Sequence, residues 1–303
     1  MTTFRSRPFP LCRPALLVAC LMGGTLMLGG CDNTPPPVPV PLPTAITTLP
    51  SPCESMGVSG FPRQNPPDPK TYFICKPGVF ALNYVPARQT PQWAVQEIKS
   101  ETLNPEFGPP ARMDKDDFRM DPDLPASRSA GLDDFKDTGY SRVFLVSPAT
   151  YPFDDVKYSQ SQYVSNAVPL YPDRVQAWEG IDQLALTATK KRGAIKVIAG
   201  TIYEQGVGRG WVGSGKGQGS SKANQKGKIE VPGYLFKILV DSKTGEYIAF
   251  VVPNTPVEPG VPPLLLTNWA QLEKMTGLLL SPDAPPAFKQ QQALPPNPNK
   301  WRP

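Results

Sequence analysis

Gly139–Ala149 reads GYSRVFLVSPA, and Ser165–Leu184 reads SNAVPLYPDRVQAWEGIDQL. The first stretch carries a strand candidate over 142–147. The second is a proline-punctuated loop that runs into a helix candidate over 173–190. KKRG, 190–193, closes that helix, with cations where the negative end of the helix dipole favours them. The 303 residues contain no histidine, so any proton transfer at this strand-loop-helix frame falls to another kind of side chain.

Working outward, VFALNYV (79–85) alternates and reads as a strand. TPQWAVQEI (90–98) reads as a short helix with Pro91 at its first position. Residues 100–138 are polar and Asp-rich, with no clear period. Further strands are expected at 194–203, 232–240 and 246–252, the last two joined as a hairpin by DSKTG (241–245). TNWAQLEKMT (267–276) is a second helix candidate, and no internal repeat is present.

The order of these pieces resembles the DNA/RNA non-specific endonucleases over roughly 70–283. CKPGVFALNYVPARQTPQWAVQEI looks like that family's first strand and tryptophan-bearing helix, and FKDTGYSRVFLVSPA like its core motif. VSNAVPLYPDRVQAW looks like its second motif. IKVIAGTIY, IEVPGYLFKILV and YIAFVVPN match its later strands, and LLLTNWAQLEKMTGLLL its closing helix. The resemblance implies an α+β fold, a mixed-sheet sandwich with flanking helices around a ββα-metal core. It also implies a histidine general base and one magnesium ion held by an asparagine.

The departures fall on the chemistry. Phe144 stands in the histidine position, and Ser141 and Val143 replace the aspartate and glycine before it; Arg142 and Pro148 are kept. In the second motif Asn166 and Pro169 are kept and Leu170 replaces a glutamine. Counting back from Trp178 puts Arg174 in the place of the magnesium-ligating asparagine, and the family's helical glutamate falls at Asp182. A phenyl ring accepts no proton, and a guanidinium repels a divalent ion while suiting a phosphate or carboxylate. The expectation is a domain with no catalytic residue intact and no metal or other cofactor, acting by binding. Its partner would be a nucleic acid, or a protein such as a secreted toxin. One alternative is an active magnesium-dependent nuclease whose base has moved to Asp154, Asp155 or Tyr140, residues that otherwise read as surface or turn positions. The other is a structural envelope protein.

The ends of the chain carry different information. Arg5, Arg7 and Arg13 precede the apolar run PALLVACLMGGTLML and then LGGC, which ends at Cys31. This is a secretory leader (1–30) resembling that of bacterial lipoproteins, whose cysteine is lipidated; a short transmembrane anchor is the alternative. The protein is therefore expected in the cell envelope, lipid-anchored to a membrane and facing the periplasm. Asp32 after Cys31 resembles an inner-membrane retention signal.

Without the leader, 28 of the 31 basic side chains remain against 26 acidic ones, a net of +2, so overall charge does not argue for nucleic acid. Proline, at 40 residues, far exceeds the usual share of about 5%. It dominates residues 31–50, read as a semi-rigid spacer, and 284–303, read as a disordered tail, leaving 51–283 as the domain. Cys53 and Cys75 remain as an even pair in an oxidising compartment and are expected to form a disulfide, with two free thiols as the alternative.

QGVGRGWVGSGKGQGSSKANQKGKI (205–229) is Gly-rich and carries Arg209, Lys216, Lys222, Lys226 and Lys228 with no acid. With Trp211 as a stacking face it reads as an electrostatic strip for a nucleic-acid strand, or as a solvated loop. It is not a phosphate loop, because Gly217 stands where a Ser or Thr is needed and no helix follows.

Cys31→Ser is expected to leave the protein unprocessed or mislocalised, since acyl chains supply about 0.8 kcal/mol of anchoring per buried CH₂. Membrane fractionation of the variant checks this; a mature, membrane-bound form would contradict the lipoprotein reading.

Overall fold

The computed structural model describes Cys53, Met56 and residues 60–112, 116–204, 208–213, 228–260 and 262–301. The leader, Cys31, Asp32 and the spacer lie outside the described residues. In chain order the strands are β1 (Arg63–Gln64), β2 (Tyr72–Lys76), β3 (Phe80–Val85), β4 (Thr90–Lys99), β5 (Ser141–Phe144), β6 (Ala167–Leu170) and β7 (Ala194–Ile202). Then come β8 (Trp211–Val212), β9 (Ile229–Glu230), β10 (Tyr234–Asp241), β11 (Tyr247–Pro253), β12 (Leu265–Thr267) and β13 (Leu278–Leu279). The helices are α1 (Asp155–Gln160), α2 (Val175–Arg192), α3 (Trp269–Thr276) and α4 (Pro286–Ala293).

Seven strands form one antiparallel sheet in the order β12-β11-β10-β7-β4-β3-β2. Both faces of it are covered. On one face Ile195, Val197, Leu235, Leu239, Ile248 and Phe250 pack against α2 through Trp178, Ile181 and Ala185. On the other, Ile198, Phe236, Ile238, Ala249 and Val251 pack against α3 through Trp269 and Leu272. Alternate residues of one strand thus feed two cores, which is why the central strands read as nearly unbroken apolar runs.

This double burial corrects the expectation for TPQWAVQEI, which is strand β4 and not a helix. Trp93 and Val95 enter one core while Ala94 and Ile98 enter the other. Pro91 lies where the register with β3 shifts between Asn83 and Tyr84, an irregularity where a missing N–H is tolerated. The strand expected at 142–147 stops at Phe144. The β10–β11 hairpin forms as expected, with Asp241 Oδ1 accepting from the Lys243 and Thr244 amides and Gly245 at φ 72°. Cys53 and Cys75 are bonded, their Cα atoms 6.1 Å apart, which fastens the start of the domain to β2.

The tail is a second correction. Residues 286–293 are helix α4, Phe288 packs edge-on against Trp269, and Trp301 is buried in the α2-side core. Arg192 lies 4.4 Å over the Trp301 ring and donates to the Lys300 carbonyl. A proline-rich composition lowers the entropy cost of ordering, and one tryptophan offers enough apolar area to hold the segment. Trp301→Ala is expected to cost about 3 kcal/mol, read from urea denaturation. An unchanged midpoint would mean that the tail adds nothing to the fold.

Candidate functional site

β5 and β6 form a separate antiparallel pair, with Phe144 opposite Ala167 and Arg142 opposite Pro169. The chain then passes through a turn at Pro172–Arg174 into α2, giving the two strands and helix of the expected frame. Trp178 Nε1 donates to the Phe144 carbonyl at 3.0 Å, so the first turn of α2 is pinned to the end of β5. Arg174, Trp178 and Asp182 follow one another at a spacing of four, so all three point to the same side, and all are buried.

Phe144 is a packing residue. Its half-buried ring faces that of Phe118 at 6.3 Å, and Phe118 meets Phe135 edge-on at 5.4 Å. Ala130, Val164, Ala167 and Ile229 complete this third, smaller apolar cluster. Arg142 lies 4.0 Å over the Phe118 ring and pairs with Asp116 at 2.8 Å. Asn166 is fully buried: its Nδ2 donates to the carbonyls of Val146 and Ser161, and its Oδ1 accepts from the Val146 amide. The asparagine kept from the second motif therefore closes a loop.

Arg174 does not face a ligand, contrary to the sequence expectation. At 1% exposure, its guanidinium donates to the carbonyls of Thr255, Pro256 and Pro262. The loop it grips is rich in proline, whose missing N–H groups leave carbonyls without strand partners. Asp182 meets Lys237 of β10 in a buried ion pair, and the Lys237 ammonium also lies 3.8 Å over the Trp178 ring. Burial drives the Asp182 carboxyl above the usual carboxylate range and the Lys237 ammonium below its own; their mutual attraction opposes both shifts.

The basic strip is partly tied down. Lys228 donates to the Ser129 carbonyl at 2.6 Å and lies 3.6 Å from Asp134. Arg209 pairs with Glu204 at 3.8 Å, and Trp211 is half-buried in the two-residue β8–β9 ribbon. Lys216, Lys222 and Lys226 lie outside the described residues. Of the alternative bases, Asp154 caps α1 by accepting from the Lys157 amide, and Asp155 pairs with Arg112 at 2.7 Å. Tyr140 meets Tyr171 edge-on at 6.0 Å.

Three contributors were missed in the sequence. Lys237 had a signal, a lone charge inside YLFKILV, which demands a buried partner once the strand is internal. Asn254 ties the Pro169 and Pro232 carbonyls to the Tyr171 amide, and Phe118 fills the space beside Phe144; neither announces itself in a single sequence.

Comparison with known proteins agrees with this geometry. The family model for the DNA/RNA non-specific endonuclease matches residues 64–287. The chain is 25% identical to human mitochondrial endonuclease G over 213 residues, 67% of this chain and 68% of that protein. It is 28% identical to the mitochondrial nuclease EXOG of Xenopus laevis over 217 residues, which is 67% of this chain and 56% of the relative. A solved structure of an EndoG/EndoGI complex, described as explaining EndoG inhibition, superposes with a TM-score of 0.63 at 17% identity. It covers 82% of this chain and 99% of the other. That likeness bears on the fold.

Lys237→Ala is expected to destabilise the domain by about 3–5 kcal/mol, because Asp182 is then buried without a counter-charge. Replacing both, Lys237→Met with Asp182→Leu, is expected to cost much less. Equal losses in urea denaturation for the single and double changes would contradict the pairing argument.

Proposed function

The chain belongs to the DNA/RNA non-specific endonuclease family, and we propose that it is a member that binds without cutting. The observation that carries this is Phe144, a ring packed on Phe118 in the position of the family's base, in a chain with no histidine. Attack of water on a phosphodiester needs a proton acceptor within hydrogen-bond reach. Asp154 and Asp155 are both engaged in holding α1 in place, and Tyr140 packs edge-on against Tyr171.

The family's magnesium does not fit these residues either. Magnesium asks for oxygen donors in near-octahedral array. The position counted for its asparagine holds Arg174, the amide of Asn166 is committed to backbone groups, and Asp182 is bonded to Lys237. Among the described residues no three His, Cys, Asp or Glu side chains gather as ligands. No hydrolytic step is assigned to this site.

What remains is a rigid two-faced sheet carried, on this reading, by a lipid on Cys31 at the periplasmic face of the envelope. A protein ligand has a parallel in the fold, since the solved EndoG is in complex with EndoGI in a structure described as one of inhibition. Nucleic acid is the other candidate, through the basic segment whose sequence carries Arg209, Trp211, Lys216, Lys222 and Lys226.

A plasmid-nicking assay on the mature domain with magnesium or manganese tests the proposal. No nicking above background is expected, since loss of general-base help alone costs about 10²–10⁴-fold. Phe144→His and Arg174→Asn are each expected to stay silent. EDTA-sensitive nicking by the wild-type domain would refute the reading, and alanine at Tyr140, Asp154 and Asp155 would then locate the base.

A further inference from the structure

α2 ends at Arg192, and Gly193, at φ 91°, turns the chain into β7. Three other segments meet this turn. The Ser100 amide, just past β4, donates to the Gly193 carbonyl at 2.7 Å, and Lys99 lies opposite Ala194 in the β4–β7 register. From the β10–β11 hairpin turn the Ser242 amide donates to the Ala194 carbonyl at 3.4 Å, and a Cβ at Gly193 would lie 3.3 Å from the Lys243 Nζ. The tail arrives at Lys300, whose carbonyl accepts from Arg192.

The charge gathered here is one-sided. Residues 97–101, 190–196, 241–246 and 300 hold seven basic side chains against four acidic ones, a net of +3. Arg192 pairs with Asp241 at 2.7 Å and Glu246 at 3.3 Å, and Lys300 pairs with Glu246. Glu97 lies 3.8 Å from Lys99 and opposite Lys196. Burial holds the Lys196 ammonium below its ordinary value; Glu97 opposes this and Lys99 adds to it. Lys190, Lys191 and Lys243 are exposed and form no ion pair among the described residues. The helix dipole accounts for cations in the last turn of α2. It does not account for Lys99 and Lys243, which reach the same place from a strand end and a hairpin.

We infer that this end of the domain is a contact surface for an anionic lipid bilayer, laid against the membrane by Lys99, Lys190, Lys191 and Lys243. An ammonium is a point charge that needs no set geometry, which suits a broad anionic surface. A nucleic-acid strand is usually held by aromatic faces as well as cations, and these four segments carry no aromatic residue. The choice of a bilayer also rests on the lipid-anchored reading of Cys31, which keeps the domain beside a membrane. The 18 residues of α2 span about 27 Å, so this contact turns the β5–β6 frame, pinned to the first turn of that helix, away from the bilayer.

The test uses the leaderless chain carrying Cys31→Ser, so its vesicle arms do not depend on lipidation. Co-sedimentation is expected to show binding to phosphatidylcholine vesicles that contain phosphatidylglycerol, and loss of it with phosphatidylcholine alone or in about 1 M salt. One lysine near an anionic bilayer contributes about fivefold, so Lys190→Gln with Lys191→Gln is expected to weaken binding by about tenfold or more, and Lys99→Gln with Lys243→Gln likewise. Glu101→Lys is expected to tighten it by about fivefold. Lys70→Gln, at the opposite end of the sheet, is expected to leave it unchanged. No binding to the anionic vesicles, equal binding to both kinds, lysine variants no weaker than Lys70→Gln, or a DNA duplex that strips the protein from the vesicles would overturn the inference. If the vesicle arms hold while fractionation of the natural chain shows no lipid on Cys31, the contact stands and the anchor alone falls.

Discussion

Lys237 stands among apolar neighbours in the middle of a strand whose two faces are both covered, and Asp182 is the side chain that makes this tolerable. The pair fixes the rotation of α2 on the sheet. With Asp182 turned inward, the residues one and two turns earlier on the same stripe, Trp178 and Arg174, turn inward too. Trp178 then reaches the Phe144 carbonyl, and Arg174 reaches the carbonyls of the 255–262 loop. One buried interaction thus sets the helix, the helix is tied to the end of β5 in the β5–β6 pair, and the loop beside β12 is held from the same stripe.

The same geometry explains how the nuclease-family frame is held together. Three polar side chains of the frame have structural partners: Arg142 with Asp116, Asn166 with backbone groups of Val146 and Ser161, Asp182 with Lys237. Phe144 contributes apolar contact with Phe118. At the outer edge of the sheet, Leu265 and Leu266 face solvent.

Much of this was legible in the sequence because order and spacing survive where single residues do not. The β10–β11 hairpin was marked by DSKTG, α2 by its basic C-terminus before Gly193, and the disulfide by an even pair of cysteines. Family order identified the frame. The failures share a cause, in that local pattern does not reveal what a segment packs against. TPQWAVQEI has helical start chemistry, yet lies between β3 and β7 with two cores to fill. The proline-rich tail carries one tryptophan that outweighs its composition. Arg174 was read by its charge, whereas its partners are carbonyls 81 to 88 residues away in sequence.

The central claim is that the frame offers neither a base nor a seat for a divalent ion. Electron paramagnetic resonance of manganese titrated into the mature domain tests the second half without relying on turnover. The account predicts that manganese stays free in solution throughout the titration, with no saturable site per chain. One saturable site, weakened by Asn166→Ala or Asp182→Ala, would contradict it.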